Sequence, residues 1–117
     1  MKIYHNPRCS KSRKALEIIK EEGIKPEIIR YLNDPMTEIV LKNLIKMLEI
    51  KPIDLIRKNE QVWQEKFKHT KLNDEQLVQI MLDYPRLIQR PIIVNKNKAV
   101  IGRSNESILT IIDYEGI

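Results

Sequence analysis

Two apolar periods alternate along this chain, and each change of period marks a new element. The start, Met1-Lys2-Ile3-Tyr4-His5, is short and apolar and predicts a buried strand over 1–5, ended by Asn6-Pro7. Ser12, Ala15, Leu16 and Ile19 then recur at the i, i+3, i+4, i+7 positions that share one helix face. Pro7 cannot lie inside that helix and Ser10 is a capping type, so the helix begins within a residue or so of Cys9. Gly23 supplies the left-handed residue on which helices commonly end. Pro26 opens Glu27-Ile28-Ile29-Arg30-Tyr31-Leu32, a second strand. Strand, helix and strand in this order predict parallel neighbours and a right-handed crossover, after which Asn33-Asp34-Pro35 turns the chain.

From there to about residue 84 the pattern is helical throughout. Leu41, Leu44, Ile45 and Leu48 form one face, and Pro52 opens a short helix carrying Leu55 and Ile56. Trp63 and Phe67, set among many charges, predict a short helix and a loop. Asn73 with Gln76 three residues on resembles a capping box for a helix with Leu77, Ile80, Met81 and Tyr84 inward, which Pro85 ends. Strand signals then return: Pro91-Ile92-Ile93-Val94, a hairpin turn at Asn95-Lys96-Asn97-Lys98, and Ala99-Val100-Ile101. Gly102-Arg103-Ser104 leads into a closing helix with Ile108, Leu109, Ile111 and Ile112 apolar. The order predicts an α/β fold: a mixed four-stranded sheet flanked by helices, with an all-helical insert. It is one domain, with 1–32 and 85–117 as core and 33–84 as insert.

Composition narrows the chemistry. The 117 residues suffice for a core without disulfide or metal staples. One cysteine excludes an internal disulfide, and with only His5 and His69 beside it no metal site is expected. No apolar run approaches a bilayer's thickness and no signal-peptide core is present, so no membrane association and a cytoplasmic location are expected. Lys and Arg number 21 against 16 Asp and Glu, a net charge of +5 that suits an anionic ligand. The lysines are scattered and aromatics are few, so a nucleic-acid partner is not expected.

The candidate chemistry lies in His5-Asn6-Pro7-Arg8-Cys9-Ser10-Lys11-Ser12-Arg13. A thiol at a helix start sits over unpaired backbone N–H groups and the positive end of the dipole, and Arg8, Lys11 and Arg13 add charge. Each effect favours thiolate over thiol. The alternative, a buried inert cysteine, fits poorly with so many polar and charged neighbours.

These elements, with a cysteine opening the first helix and a proline opening the third strand, resemble the thioredoxin fold. The motifs resemble the glutaredoxin-dependent arsenate reductase family, which includes the Spx-type regulators. They are Tyr4-His5-Asn6-Pro7-x-Cys9-x-x-Ser12-Arg13, Tyr31-Leu32, Leu55-Ile56-Arg57-Lys58-Asn59, Arg90-Pro91-Ile92 and Gly102-Arg103, in order along nearly the whole chain. The resemblance implies that Cys9 attacks arsenate or a similar oxyanion, that Arg57, Arg90 and Arg103 hold it, and that Pro91 is the cis proline of the fold. It makes His5 a supporting hydrogen-bond residue, with Arg8 and Ser12 also supporting. Guanidinium forks match an oxyanion better than lysine ammonium groups do.

Spacing separates related chemistries. A phosphatase-type loop needs an arginine six residues after its cysteine, where this chain has Ala15. A dithiol centre needs Cys-x-x-Cys, and the second place is Ser12. A redox cycle therefore needs a thiol from outside, and the family resemblance implies glutathione as external reductant, glutaredoxin as partner and no bound cofactor. Two alternatives stay open: a glutathione-dependent thiol reductase of another substrate, and an Spx-like regulator docking on RNA polymerase.

Overall fold

The computed structural model describes residues 1–116, and the chain packs as two compact units. One unit is Met1–Asp34 together with the chain from Arg90 on; the other is Pro35–Gln89.

The first unit holds a four-stranded sheet in the order β2-β1-β3-β4. The strands are β1 (Lys2–Tyr4), β2 (Glu27–Ile29), β3 (Ile92–Asn95) and β4 (Lys98–Ile101). β1 runs parallel to β2 and antiparallel to β3, and β3 and β4 form a hairpin. This mixed sheet with helices packed on it is the expected thioredoxin-like arrangement. Ile3 faces Ile93 across the β1–β3 ladder, and both pack with Ala15 and Ile19 of helix α1 (Ser10–Glu21) and Ile108 and Ile111 of helix α5 (Asn105–Ile112). Removing a fully buried isoleucine from such a cluster costs about 2–5 kcal/mol. That is a large fraction of a small domain's stability, so this layer fixes where α1 begins.

Helix α1 ends as its sequence dictates. Gly23 has φ +79, and its N–H bonds the carbonyl of Lys20. Ser104 caps α5 through a reciprocal pair with Ser107. Asn95 finishes the same helix from the hairpin, donating from Nδ2 to the carbonyls of Ile111 and Tyr114.

Gly102 follows β4 at a place where a side chain has no room. A Cβ there would lie 2.7 Å from Ile93 Cδ1 and 3.3 Å from both Ile108 and Pro91. Its N–H donates to the carbonyl of Pro91 at 2.8 Å.

Two strand expectations are corrected. β2 stops at Ile29 and does not reach Leu32, because the Arg30 carbonyl accepts the N–H groups of Asn33 and Asp34 and bends the chain. Tyr31 is thereby buried in the turn, while Leu32 faces solvent. β1 covers Lys2–Tyr4 alone, although the His5 N–H still reaches the Ile29 carbonyl.

The second unit contains helices α2 (Glu38–Leu48), α3 (Gln61–Lys66) and α4 (Asp74–Asp83). The capping box of Asn73 and Gln76 opens α4. Pro52 opens a 3₁₀ turn that ends at Leu55. Ile56 is extended rather than helical and pairs with Ile88, a contact no local pattern reveals. Among the described residues no helix is long and apolar enough to cross a membrane.

Candidate functional site

Strand register collects three segments at one end of the sheet. Tyr4 of β1 pairs with Ile92 of β3, and Ile92 pairs with Ile101 of β4. The loop after Tyr4, the residues before Ile92 and the residues after Ile101 therefore leave the sheet together. These are His5–Cys9, Arg90-Pro91 and Gly102-Arg103, segments far apart in sequence.

The loop after β1 is built by hydrogen bonds that turn it back on α1. Asn6 Oδ1 accepts the Arg8 N–H at 3.0 Å, and the Asn6 carbonyl accepts the Cys9 N–H at 3.0 Å. Cys9 is the extended residue that precedes α1, and its carbonyl accepts the Arg13 N–H in the helix's first bond. Ser12 Oγ, fully buried, accepts the Asn6 N–H at 3.0 Å and lies 2.6 Å from His5 Nδ1. Among the described residues Asn6, His5 and Ser12 are the buried polar side chains, and all three belong to this loop and the helix turn it folds onto. Such groups are tolerated in a core because each is paired.

The sulfur of Cys9 is partly accessible and carries a lowered pKa. Burial is the strongest single influence on it and pushes the thiol up. The backbone N–H of Ser12, the guanidinium of Arg90 and the backbone N–H of Lys11 all bond the sulfur and together outweigh burial. The helix start therefore acts as the sequence implies. The charge acting on the sulfur is that of Arg90, not those of Arg8, Lys11 and Arg13. Arg8, Lys11 and Arg13 are exposed, and the Arg13 guanidinium donates to the Pro7 carbonyl at 2.9 Å. No local pattern of residues links residue 90 to residue 9; in the sequence only the family resemblance of the Arg90-Pro91-Ile92 motif joins them.

His5 is 4% exposed, and its ring is held towards the neutral form. Burial is the first cause of its lowered pKa, followed by the charges of Arg30, Lys20 and Arg13. With Nδ1 engaged by Ser12, the imidazole ties the loop to α1. Asn6 is a site residue to which the sequence pattern assigns no role. The signal that could reveal it is an Asn before a Pro, a residue type that bonds the backbone two positions on.

The Arg90–Pro91 peptide is cis, and Pro91 is buried. Arg103 is exposed at the end of β4, one residue past the Gly102–Pro91 bond. Arg57 lies in the other unit, half-buried, where its N–H bonds the Leu87 carbonyl and its Nη1 donates to Glu60. Among the described residues no three His, Cys, Asp or Glu side chains group as a metal site.

The ArsC family profile matches residues 4–111. The Escherichia coli K12 protein YfgD is 43% identical over 114 residues, covering 96% of this chain and 96% of its own. An arsenate reductase of Escherichia coli is 40% identical over 111 residues, covering 94% of this chain and 79% of its own. The solved structure of an arsenate reductase from Vibrio cholerae superposes with a TM-score of 0.88 at 37% identity, covering 94% of this chain and 95% of that one.

Proposed function

The chain belongs to the ArsC family, and from that premise we propose that it reduces arsenate to arsenite, with Cys9 as sole nucleophile and glutathione and glutaredoxin as reductants. The observation that carries this reading is the sulfur of Cys9, which accepts two backbone N–H groups at a helix start and the guanidinium of Arg90. Such a thiolate is populated at lower pH than an ordinary cysteine and is also a good leaving group. A guanidinium at the nucleophile serves an oxyanion as well, because both are anionic acceptors. In this reading Arg103 and Arg57 supply further guanidinium groups to the oxyanion. The role of Arg57 rests on family membership alone.

The electron balance requires outside thiols. Arsenic(V) becomes arsenic(III) by gaining two electrons, and two thiols supply them on joining as a disulfide, while one arsenate oxygen leaves as water. Cys9 is the single thiol of the chain, and Ser12 occupies the place of a resolving cysteine. The second sulfur therefore comes from glutathione, and glutaredoxin clears the mixed disulfide. A reducing cytoplasm is the setting in which this thiol stays free.

The test is NADPH oxidation coupled through glutathione reductase, with glutathione and glutaredoxin present. Arsenate-dependent turnover that disappears in Cys9→Ser is expected. Equal oxidation with and without arsenate overturns the assignment of substrate.

A further inference from the structure

Pro7 has no N–H, so the backbone donors between it and α1 are those of Arg8 and Cys9, and Asn6 takes both. Its side-chain Oδ1 accepts the Arg8 N–H and its carbonyl accepts the Cys9 N–H, each at 3.0 Å. Its own N–H donates to the buried Ser12 Oγ, also at 3.0 Å. One residue, 6% exposed, thereby links the third residue of α1 to the cysteine that precedes the helix. Asn first and Pro second is the order that β-turns favour, and Asn6 to Cys9 closes as such a turn.

We propose that Asn6 is a positioning residue for the nucleophile: its side-chain acceptor holds the turn that sets Cys9 against the N–H groups of Lys11 and Ser12 and the guanidinium of Arg90. This rests on the reading of Cys9 as the nucleophile. Asn6 is not among the groups that act on the sulfur, so its influence runs through the main chain. With the Arg8 and Cys9 N–H groups consumed inside the turn, the backbone donors that reach the sulfur are those of the helix start. Such bonds weaken steeply as distance and angle depart from the optimum, so a small displacement of Cys9 forfeits them. Asparagine also supplies its acceptor without charge, whereas a carboxylate in the same turn would oppose the thiolate.

The experiment measures the rate at which iodoacetamide alkylates Cys9 against pH in the full chain, beside urea denaturation of the same proteins. Asn6→Leu keeps the side chain's shape and removes its acceptor. At a fixed pH below the wild-type midpoint, alkylation should slow roughly two- to tenfold, the net worth of one hydrogen bond. At high pH, where every thiol is ionised, the rate should not fall. Asn6→Ser, whose hydroxyl can accept the same N–H, should recover part of the loss. Ile111→Val, in the core cluster and not in the loop, lowers stability and should leave alkylation unchanged. Asn6→Ala serves as a second variant should Asn6→Leu fail to fold. A lowered wild-type midpoint that Asn6→Leu and Asn6→Ala leave in place overturns the positioning role alone. Equal slowing by Ile111→Val shows general loosening and overturns it too. An ordinary midpoint in the wild type overturns the proposal together with the reading of Cys9 as the nucleophile.

Discussion

His5 Nδ1 and Ser12 Oγ lie 2.6 Å apart beneath the loop that carries Cys9. The same hydroxyl accepts the Asn6 N–H, so one side chain of α1 fixes both residues that follow β1. The Ser12 backbone N–H meanwhile bonds the Cys9 sulfur. Ser12 thus ties the loop from inside and supports the thiolate from its main chain. Replacing the hydroxyl by an apolar group leaves a buried imidazole nitrogen and a buried N–H without their partner. Ser12→Ala should therefore lower stability by about 1–3 kcal/mol, measured by urea denaturation. A loss within experimental error would mean that the loop holds without the hydroxyl.

The pH dependence of stability should report His5. Its folded pKa lies below the ordinary 6.5, so on acidification the unfolded chain takes up this proton first. The contribution is fully present above about pH 6.5 and is lost as the pH falls from there through the lowered folded value. His5→Gln should remove that part of the acid slope, as read from thermal midpoints between neutral and mildly acidic pH. An identical slope in both proteins would rule out the burial argument.

Alkylation of Cys9 by iodoacetamide should show a midpoint below the ordinary thiol value of 9.0. Arg90→Ala should move it upward, because both a hydrogen bond and a charge at the sulfur are lost. Arg90→Lys should recover part of the shift, keeping the charge but not the planar fork. Arg8→Ala and Arg13→Ala should leave the midpoint nearly unchanged. A larger effect from either than from Arg90→Ala would return the thiolate's support to its sequence neighbours.

Oxidised glutathione should give one adduct, on Cys9, visible by intact-protein mass spectrometry. With no second thiol in the chain, only an external thiolate can remove it. Glutaredoxin is expected to do so faster than thioredoxin, and the reverse order would contradict the proposed reductant.

Gly102→Ala should cost about 1–3 kcal/mol through overpacking, since the new methyl meets Ile93 Cδ1 at 2.7 Å and Ile93 is fully buried. The same strain falls on the Gly102–Pro91 hydrogen bond, so the thiol midpoint of this variant should shift as well. Thermal denaturation and the alkylation assay together check it.

The sequence by itself determined what depends on neighbours along the chain. The spacing from Ser12 to Ile19 placed α1, Gly23 ended it, and Asn73 with Gln76 opened α4, because capping and helical periodicity act within a few residues. Cys9 was legible as a candidate nucleophile for the same reason, since a helix start supplies its N–H groups locally. Tertiary structure decided the rest. β2 ends at Ile29 because the Arg30 carbonyl turns to Asn33 and Asp34, although the apolar pattern runs on to Leu32. Ile56 is extended because it pairs with Ile88. Arg8, Lys11 and Arg13 stand nearest the thiol in sequence, yet Arg90 is the charge that reaches it. Charges along a helix start point outward into water unless something packs on them, whereas the register of β1 against β3 brings the residues before Ile92 to the end of β1. Register is set by burying Ile3 and Ile93 under two helices, a choice made by the whole sheet and not by any local motif.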